Sequence, residues 1–127
     1  MNISKPIMIM SAELRDANPR ENMNRTTDLA NTLTEYDIPY TEIEGVYDGR
    51  LESSFATTWT AGREDDFQRL VTMFDQECYL LIDANGMGVL KDGSGNGLEE
   101  LGRFRITDQK PDGDYTDLGG VYITFGG

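Results

Sequence analysis

Few side chains in this 127-residue sequence could carry out chemistry, and none of them is a histidine. The absence of histidine removes imidazole acid–base catalysis, Ser–His and Cys–His nucleophile pairs, and most zinc sites. The single cysteine, Cys78, opens an apolar run of five residues, which favours an inert core thiol over a nucleophile. A lone cysteine also excludes an internal disulfide, and nothing here indicates secretion.

Tyr47 and Glu52 are the more promising pair, because they flank a predicted hairpin turn at Asp48-Gly49. A phenol and a carboxylate at a hairpin tip could bind a polar ligand, and oligomers of small α/β domains often build their sites there. On these two residues alone, an ordinary surface hairpin is the competing interpretation.

The glycine-rich segment Asp92 to Gly97 allows two binding interpretations and favours neither. As a calcium loop it has oxygen ligands at the first, third and fifth positions, but Arg103 stands where the bidentate acid belongs. As a phosphate loop it lacks the Gly-Lys-Ser/Thr ending and the strand-to-helix context. We therefore expect a surface turn. Trp59 could stack on a base, although packing is the simpler interpretation.

The elements that must position these residues follow from hydrophobic periodicity and from capping signals. Asn18-Pro19 starts a helix, since asparagine caps it and proline fits its first position. Phe67, Leu70, Val71 and Phe74 form one face of a second helix. The sequence predicts helices over residues 18–36 and 63–76, and strands over residues 7–10, 40–47, 52–60, 78–82, 87–90, 103–107 and 121–125.

This order is β-α-β-β-α-β with extra C-terminal strands, which predicts a ferredoxin-like α/β (α+β) sandwich in a single domain over residues 1–127. Two helices would cover one face of its antiparallel sheet. Both faces of the central strands are apolar, because Ile7 to Met10 and Tyr79 to Ile82 are continuous hydrophobic runs. We therefore expect subunit association to cover the second face.

The net charge of −12 limits the partners that this chain could bind. It argues against nucleic acid and against an anionic membrane surface, and it fits a cationic ligand, a basic partner or plain solubility. No run approaches the roughly 18 apolar residues of a membrane span. The apolar stretch before Met10 is too short for a signal peptide, so we expect a cytoplasmic protein.

Taken together, short motifs along the chain resemble the phage S-adenosylmethionine lyases, long called hydrolases. Their common order covers nearly the whole chain, although the connection between the tyrosine and the glutamate is shorter here. The matching pieces are Ser11-Ala12, Asn22-Met23-Asn24-Arg25, Thr32-Leu33, Gly45-Val46-Tyr47, Glu52, Gln76-Glu77-Cys78 and Leu118-Gly119-Gly120-Val121-Tyr122.

The resemblance implies a PII-like α/β fold, a homotrimer with active sites between subunits, and S-adenosylmethionine as substrate. The expected products are methylthioadenosine and L-homoserine lactone, formed by intramolecular lactonisation in an infected bacterial cell, where loss of the methyl donor counteracts restriction-modification. No cofactor or metal is expected, because the substrate carries its own nucleophile and leaving group. The alternatives are a non-catalytic PII-like sensor of adenine nucleotides and an acidic DNA mimic.

Carried onto this sequence, the resemblance makes Glu52 and Tyr47 the catalytic residues. We expect Glu52 on the α-ammonium group of the substrate, with Tyr47 bonding or shielding the same part. Residues at the junction of the first strand and first helix are expected to line the adenosine, and a carboxylate at the end of a buried strand is a weaker polar contact. These substrate-binding candidates are Ser11, Ala12, Asn22, Met23 and Asp83.

Overall fold

Eight β-strands and two α-helices account for most of residues 6–47, 49–117 and 121–125, the part of the chain described by a computed structural model, with Tyr47 described by its backbone alone. Asp48 of the predicted turn and Leu118 to Gly120 of the last motif lie outside these residues. In chain order the elements are β1 (Ile7–Met10), α1 (Pro19–Glu35), β2 (Thr41–Tyr47), β3 (Arg50–Thr58), α2 (Ala61–Met73), β4 (Tyr79–Ile82), β5 (Met87–Lys91), β6 (Gly97–Thr107), β7 (Tyr115–Asp117) and β8 (Tyr122–Phe125).

Both helices begin at polar caps. The Asn18 side chain accepts a hydrogen bond from the Glu21 backbone N–H at 2.8 Å and donates to the Glu21 carboxylate at 2.9 Å, which confirms the predicted start of α1. Thr60 caps α2, so this helix starts two residues earlier than the sequence indicated. Within the described residues, neither helix is long and apolar enough to cross a membrane.

The strands form a closed antiparallel barrel in the order β1-β3-β2-β7-β8-β6-β5-β4, so the predicted ferredoxin-like, PII-like sandwich is wrong. The strands at the ends of the expected four-stranded sheet, β2 and β4, are paired further. Thr116 of β7 stands opposite Gly45 in β2, and Leu90 of β5 stands opposite Leu80 in β4. Both open edges, which would otherwise expose unpaired backbone groups, are therefore bonded by strands C-terminal to β4: the predicted β5 and the unpredicted β7.

The wall of the barrel separates two hydrophobic cores. The outer core lies between the helices and the outer face of β1, β3 and β4, where Met8 and Tyr79 face Leu29 and Phe67. The inner core fills the barrel. Its buried members are Ile9, Ile43, Leu80, Ile82, Phe104 and Ile123.

The inner core corrects the expectation that a second subunit covers the apolar inner face of the sheet. Ile9, Leu80 and Ile82 are 5%, 5% and 2% exposed, because strands of the same chain close over them. Close packing limits the residues allowed here: a Cβ on Gly88 would overlap the ring of Phe125, so a larger residue at this position would force that ring to move. The trimer remains a prediction that rests on the resemblance.

Candidate active site

One end of the barrel opens into a cavity of about 1000 Å³, which we call the mouth. The pairings of β1 place its last residues beside β3 and the start of β4, since Met10 stands opposite Phe55 and Ile9 opposite Leu80. The loop after β1 and the residues between α2 and β4 therefore form part of the rim. Below the rim, the floor is apolar and is built from Ile9, Leu80, Leu90, Leu101, Ile123 and Phe125.

The mouth is strongly acidic. Among the residues described, eight carboxylates line it against two arginines, Arg15 and Arg50. Such a surplus raises the local concentration of cations and opposes the entry of anions. The carboxylates are Glu13, Asp16, Glu52, Asp75, Glu77, Glu99, Glu100 and Asp114.

Glu52 is the titratable group whose environment fits a ligand-binding role in this cavity. It lies on β3, where it pairs with Gly45 of β2. Burial raises the pKa of the Glu52 carboxyl above 4.5, and the charge of Glu13 adds to this rise. A hydrogen bond with Ser11 and the positive charges of Arg50 and Arg15 work against it, and the net shift is upward. The ionised carboxylate is therefore incompletely compensated, and a bound cation would stabilise it.

Ser11 and Glu52 come together within one chain, which makes this contact independent of a neighbouring subunit. Ser11 is 5% exposed, and its hydroxyl oxygen also accepts a hydrogen bond from the Glu13 N–H at 3.0 Å. The active sites between subunits that the resemblance implies remain a prediction. The side chain of Tyr47 lies outside the described part, although its backbone pairs with Arg50 at the rim.

The other predicted binding residues lie away from the cavity space. Ala12 is 1% exposed in the outer core, and Met23 is 69% exposed beside a separate groove of about 590 Å³ between α1 and β3. Asn22 is buried, and its amide bonds both the N–H and the carbonyl of Leu14 at 2.8 and 3.0 Å. Asp83 follows the far end of β4, where its carboxylate accepts two backbone N–H bonds of the β4–β5 turn.

Sequence reasoning missed a set of side chains that clamp the loop after β1. Arg25 donates to the Ala12 carbonyl at 2.6 Å and also to the Phe74 carbonyl, so it ties the loop to the end of α2. Gln76 donates to the Glu13 carbonyl at 3.0 Å. Arg25 and Gln76 both belong to motifs that carried the resemblance, and this was the signal that could have identified them. In the structure these two side chains hold the rim in position.

Glu13 was missed because nothing in its sequence neighbourhood marks it. Its side chain is 14% exposed, one oxygen accepts the Ser53 N–H at 2.6 Å, and the other lies 3.5 Å from Arg50. It joins the loop to β3 and contributes negative charge next to Glu52.

The remaining sequence candidates are structural. Trp59 packs against the outer core and donates its indole N–H to Glu64 at 2.6 Å. The Asp92 carboxylate accepts hydrogen bonds from the backbone N–H groups of Ser94 and Asn96, which confirms a turn.

Cys78 lines the mouth, but it is a poor nucleophile. Burial, and to a smaller extent the nearby carboxylates, raises the pKa of its thiol. No three His, Cys, Asp or Glu side chains of the described ranges converge as a metal site.

Comparison with known proteins adds the identity. No curated protein matches the chain significantly in sequence. The model of the S-adenosylmethionine lyase family matches residues 8–125, which include both helices, all eight strands except the first residue of β1, and the whole lining of the mouth. This match favours an enzyme over the alternatives of a sensor or a DNA mimic. The chain therefore belongs to the S-adenosylmethionine lyase family and is an S-adenosylmethionine lyase.

Proposed function

We propose that this lyase converts S-adenosylmethionine to methylthioadenosine and L-homoserine lactone within the mouth of the barrel. An oxygen of the substrate carboxylate attacks its own γ-carbon, forming a C–O bond as the C–S bond breaks. The bonding electrons pass to sulfur, so the sulfonium becomes a neutral thioether, and the α-ammonium group is unchanged. The step needs no external base, which fits a chain without histidine.

The acidic lining of the mouth, with Glu52 partly buried inside it, is the observation that carries this proposal. S-adenosylmethionine has two cationic groups and one carboxylate, so it is the kind of ligand that such a cavity concentrates. A volume of about 1000 Å³ is also large enough for a nucleoside with an amino-acid arm.

Glu52 binds the α-ammonium group in this mechanism. A carboxylate pressed against the sulfonium would stabilise a charge that disappears during the reaction, and this would slow the step. The ammonium keeps its charge throughout, so holding it costs no catalytic power and fixes the folded pose. At ~4 Å and an effective dielectric constant of ~20, the contact contributes about 4 kcal/mol before desolvation.

The apolar floor of the mouth supports the same step. Two opposite charges are neutralised on the way to product, and water stabilises the separated charges more than the transition state. Burial of the reacting arm above Leu80, Leu90 and Ile123 would therefore favour lactonisation. Orientation of the carboxylate toward the γ-carbon can contribute roughly 7–11 kcal/mol.

Around this centre, Ser11 bonds Glu52, and the role proposed for Tyr47 is to bond the amino-acid part of the substrate or to shield it from water. Arg25 and Asn22 act through the loop that they clamp, and Met23 and Asp83 are not among the residues that line the mouth of the same chain. We further propose that the enzyme works as a homotrimer in the cytoplasm of an infected bacterium, where it consumes the methyl donor on which restriction-modification depends. Light scattering should then give about three times the 14.2 kDa chain mass.

Mass spectrometry of the reaction in heavy-oxygen water tests the chemistry. Internal attack gives lactone without the label, and later opening of the lactone places label in the carboxyl group. Direct hydrolysis places the label in the γ-hydroxyl group of homoserine instead, and that result would overturn the proposal.

Chelation tests whether the step needs a metal. We expect undiminished activity in EDTA; loss of activity that a divalent ion restores would contradict a cofactor-free step.

A further inference from the structure

Arg50 and Glu52 stand next to each other on the inner face of the mouth. They are two residues apart on β3, so their side chains leave the strand on the same side, about 7 Å apart along it. Both line the cavity. Opposite charges at this spacing form a complementary pair for a ligand that itself carries both signs.

Contacts with the clamped loop hold Arg50 at this position. Its Nη2 atom donates to the Leu14 carbonyl at 3.1 Å and lies 3.5 Å from the Glu13 carboxylate, and its side chain is 27% exposed. Among the described residues, both of these contacts use Nη2, and neither of them occupies Nε or Nη1. The guanidinium group is thus fixed in place while another edge can donate to a ligand.

An amino-acid head group matches this pair, because its ammonium and carboxylate are attached to one carbon atom. If Glu52 takes the ammonium, as in the function proposed above, the carboxylate comes within reach of Arg50. We propose that Arg50 binds the α-carboxylate of the substrate and makes the mouth selective for ligands with an intact amino-acid head group. The inference rests on the proposed function for the placement of the ammonium.

The surroundings of Arg50 suit a carboxylate that must also react. A fully paired bidentate contact would stabilise the nucleophile and slow its attack. The negative charge of Glu13 beside the guanidinium weakens its electrostatic field, so Arg50 orients the substrate carboxylate without suppressing its nucleophilicity. Arg15, the other arginine of the mouth, is exposed to solvent on the loop and would hold a carboxylate less firmly.

Two ligands that differ only in the carboxylate provide the test. S-adenosylmethionine is the substrate, and decarboxylated S-adenosylmethionine, which cannot form a lactone, is measured as a competitive inhibitor. We expect Arg50→Gln to raise KM for S-adenosylmethionine about 10- to 100-fold, the size of a lost charge-assisted hydrogen bond, while Ki for the decarboxylated analogue changes less than about threefold. Equal weakening of both ligands, or of neither, would overturn the inference.

Two further variants and one parallel measurement keep the result unambiguous. Arg69→Gln removes an exposed arginine of α2 and should leave both constants unchanged. Arg50→Lys keeps the charge and tests the same selectivity, with a smaller effect, if Arg50→Gln folds poorly. If this variant weakens the binding of both ligands equally, the inference is also contradicted. Glu52→Gln, measured alongside, tests the proposed function by itself, because an active Glu52→Gln enzyme would refute that function whatever Arg50 does.

Discussion

Glu64 and Glu52 are both partly buried glutamates on this barrel, and their surroundings are opposite. Glu64 lies on the outside, in the first turn of α2, where the helix packs against the wall of the barrel. Its side chain is 14% exposed and accepts hydrogen bonds from Trp59 at 2.6 Å, Tyr79 at 2.6 Å and Lys91 at 2.7 Å. Glu52 lies inside the mouth, where Ser11 bonds it and Glu13 repels it.

The pKa values of the two carboxyl groups record this difference. Burial alone would raise the pKa of Glu64, but the hydrogen bonds from Lys91, Tyr79 and Trp59 more than offset it, and the pKa is lowered from 4.5. For Glu52 burial prevails and the pKa is raised. A carboxylate that is fully paired within the protein stabilises the fold, whereas one that is incompletely paired leaves interaction free energy for a ligand.

The largest effect that this comparison predicts is on catalysis. Glu52→Gln should lower kcat/KM by at least ~100-fold, the scale of losing a preorganised electrostatic group. The same change should leave Tm unchanged or raise it, because it removes a costly buried charge. Steady-state kinetics and thermal unfolding measure the two effects. Glu44→Gln, an exposed glutamate on neighbouring β2, is the matched control, and a Glu52→Gln enzyme with native rate would mean that another acid binds the substrate.

For Glu64, on the outside of the barrel, we expect the reverse: a loss of stability with little change in activity. Glu64→Gln leaves Lys91 without its charged partner and weakens two further hydrogen bonds, which should cost about 2 kcal/mol of unfolding free energy and lower Tm by roughly 6–10 °C. Activity measured well below the new Tm should stay within about twofold of native. A variant that loses activity and keeps its Tm would break the distinction between the two glutamates.

The pH dependence should separate the two carboxyl groups next. In the proposed mechanism Glu52 binds the ammonium only when it is ionised, so kcat/KM should fall on the acid side with a midpoint above 4.5, and residual activity of Glu52→Gln should lack this limb. For stability the signs are opposite. Glu64 has a lowered folded-state pKa, so its contribution is present above 4.5 and is lost as the pH falls through that lowered value.

Glu52 has a raised folded-state pKa, so its contribution to stability is present below 4.5 and is lost as the pH rises through the raised value. The Tm difference between native protein and Glu64→Gln should therefore shrink in acid. The difference between native protein and Glu52→Gln should grow toward neutral pH. Parallel curves of Tm against pH for native protein and both variants would contradict the opposite pKa shifts of Glu52 and Glu64.

The smallest expected effect comes from the thiol in the mouth. Cys78 is the single cysteine of the chain, so alkylation reports on one position. Because its pKa is raised, labelling at neutral pH should be slow, and bound decarboxylated S-adenosylmethionine should slow it several-fold further. Glu52→Gln should weaken this protection and Glu64→Gln should not. Unchanged labelling at saturating ligand would place the binding site elsewhere.

The local elements were largely predictable, because their signals lie within a few residues of each other. The strand Ile7–Met10 has the predicted limits, and α1 follows its Asn18 cap. The strand Gly97–Thr107 was only half predicted, since register shifts opposite Gly88 to Lys91 and a positive φ at Gly102 break its alternation. The three-residue β7 is too short to produce a periodic pattern.

The sequence alone determined that both faces of the central strands are apolar, that the chain is acidic, and that its ordered motifs resemble the lyase family. Only the tertiary structure decided what covers the second face, because pairing between β2 and β7 joins residues about 70 positions apart, and no local pattern encodes it. The same closure decided the candidate site. The strand register placed Glu52 and Arg50 inside a mouth with Ser11 and Glu13, whereas Met23 lies on α1 and Asp83 follows β4 at its far end, so neither lines that mouth.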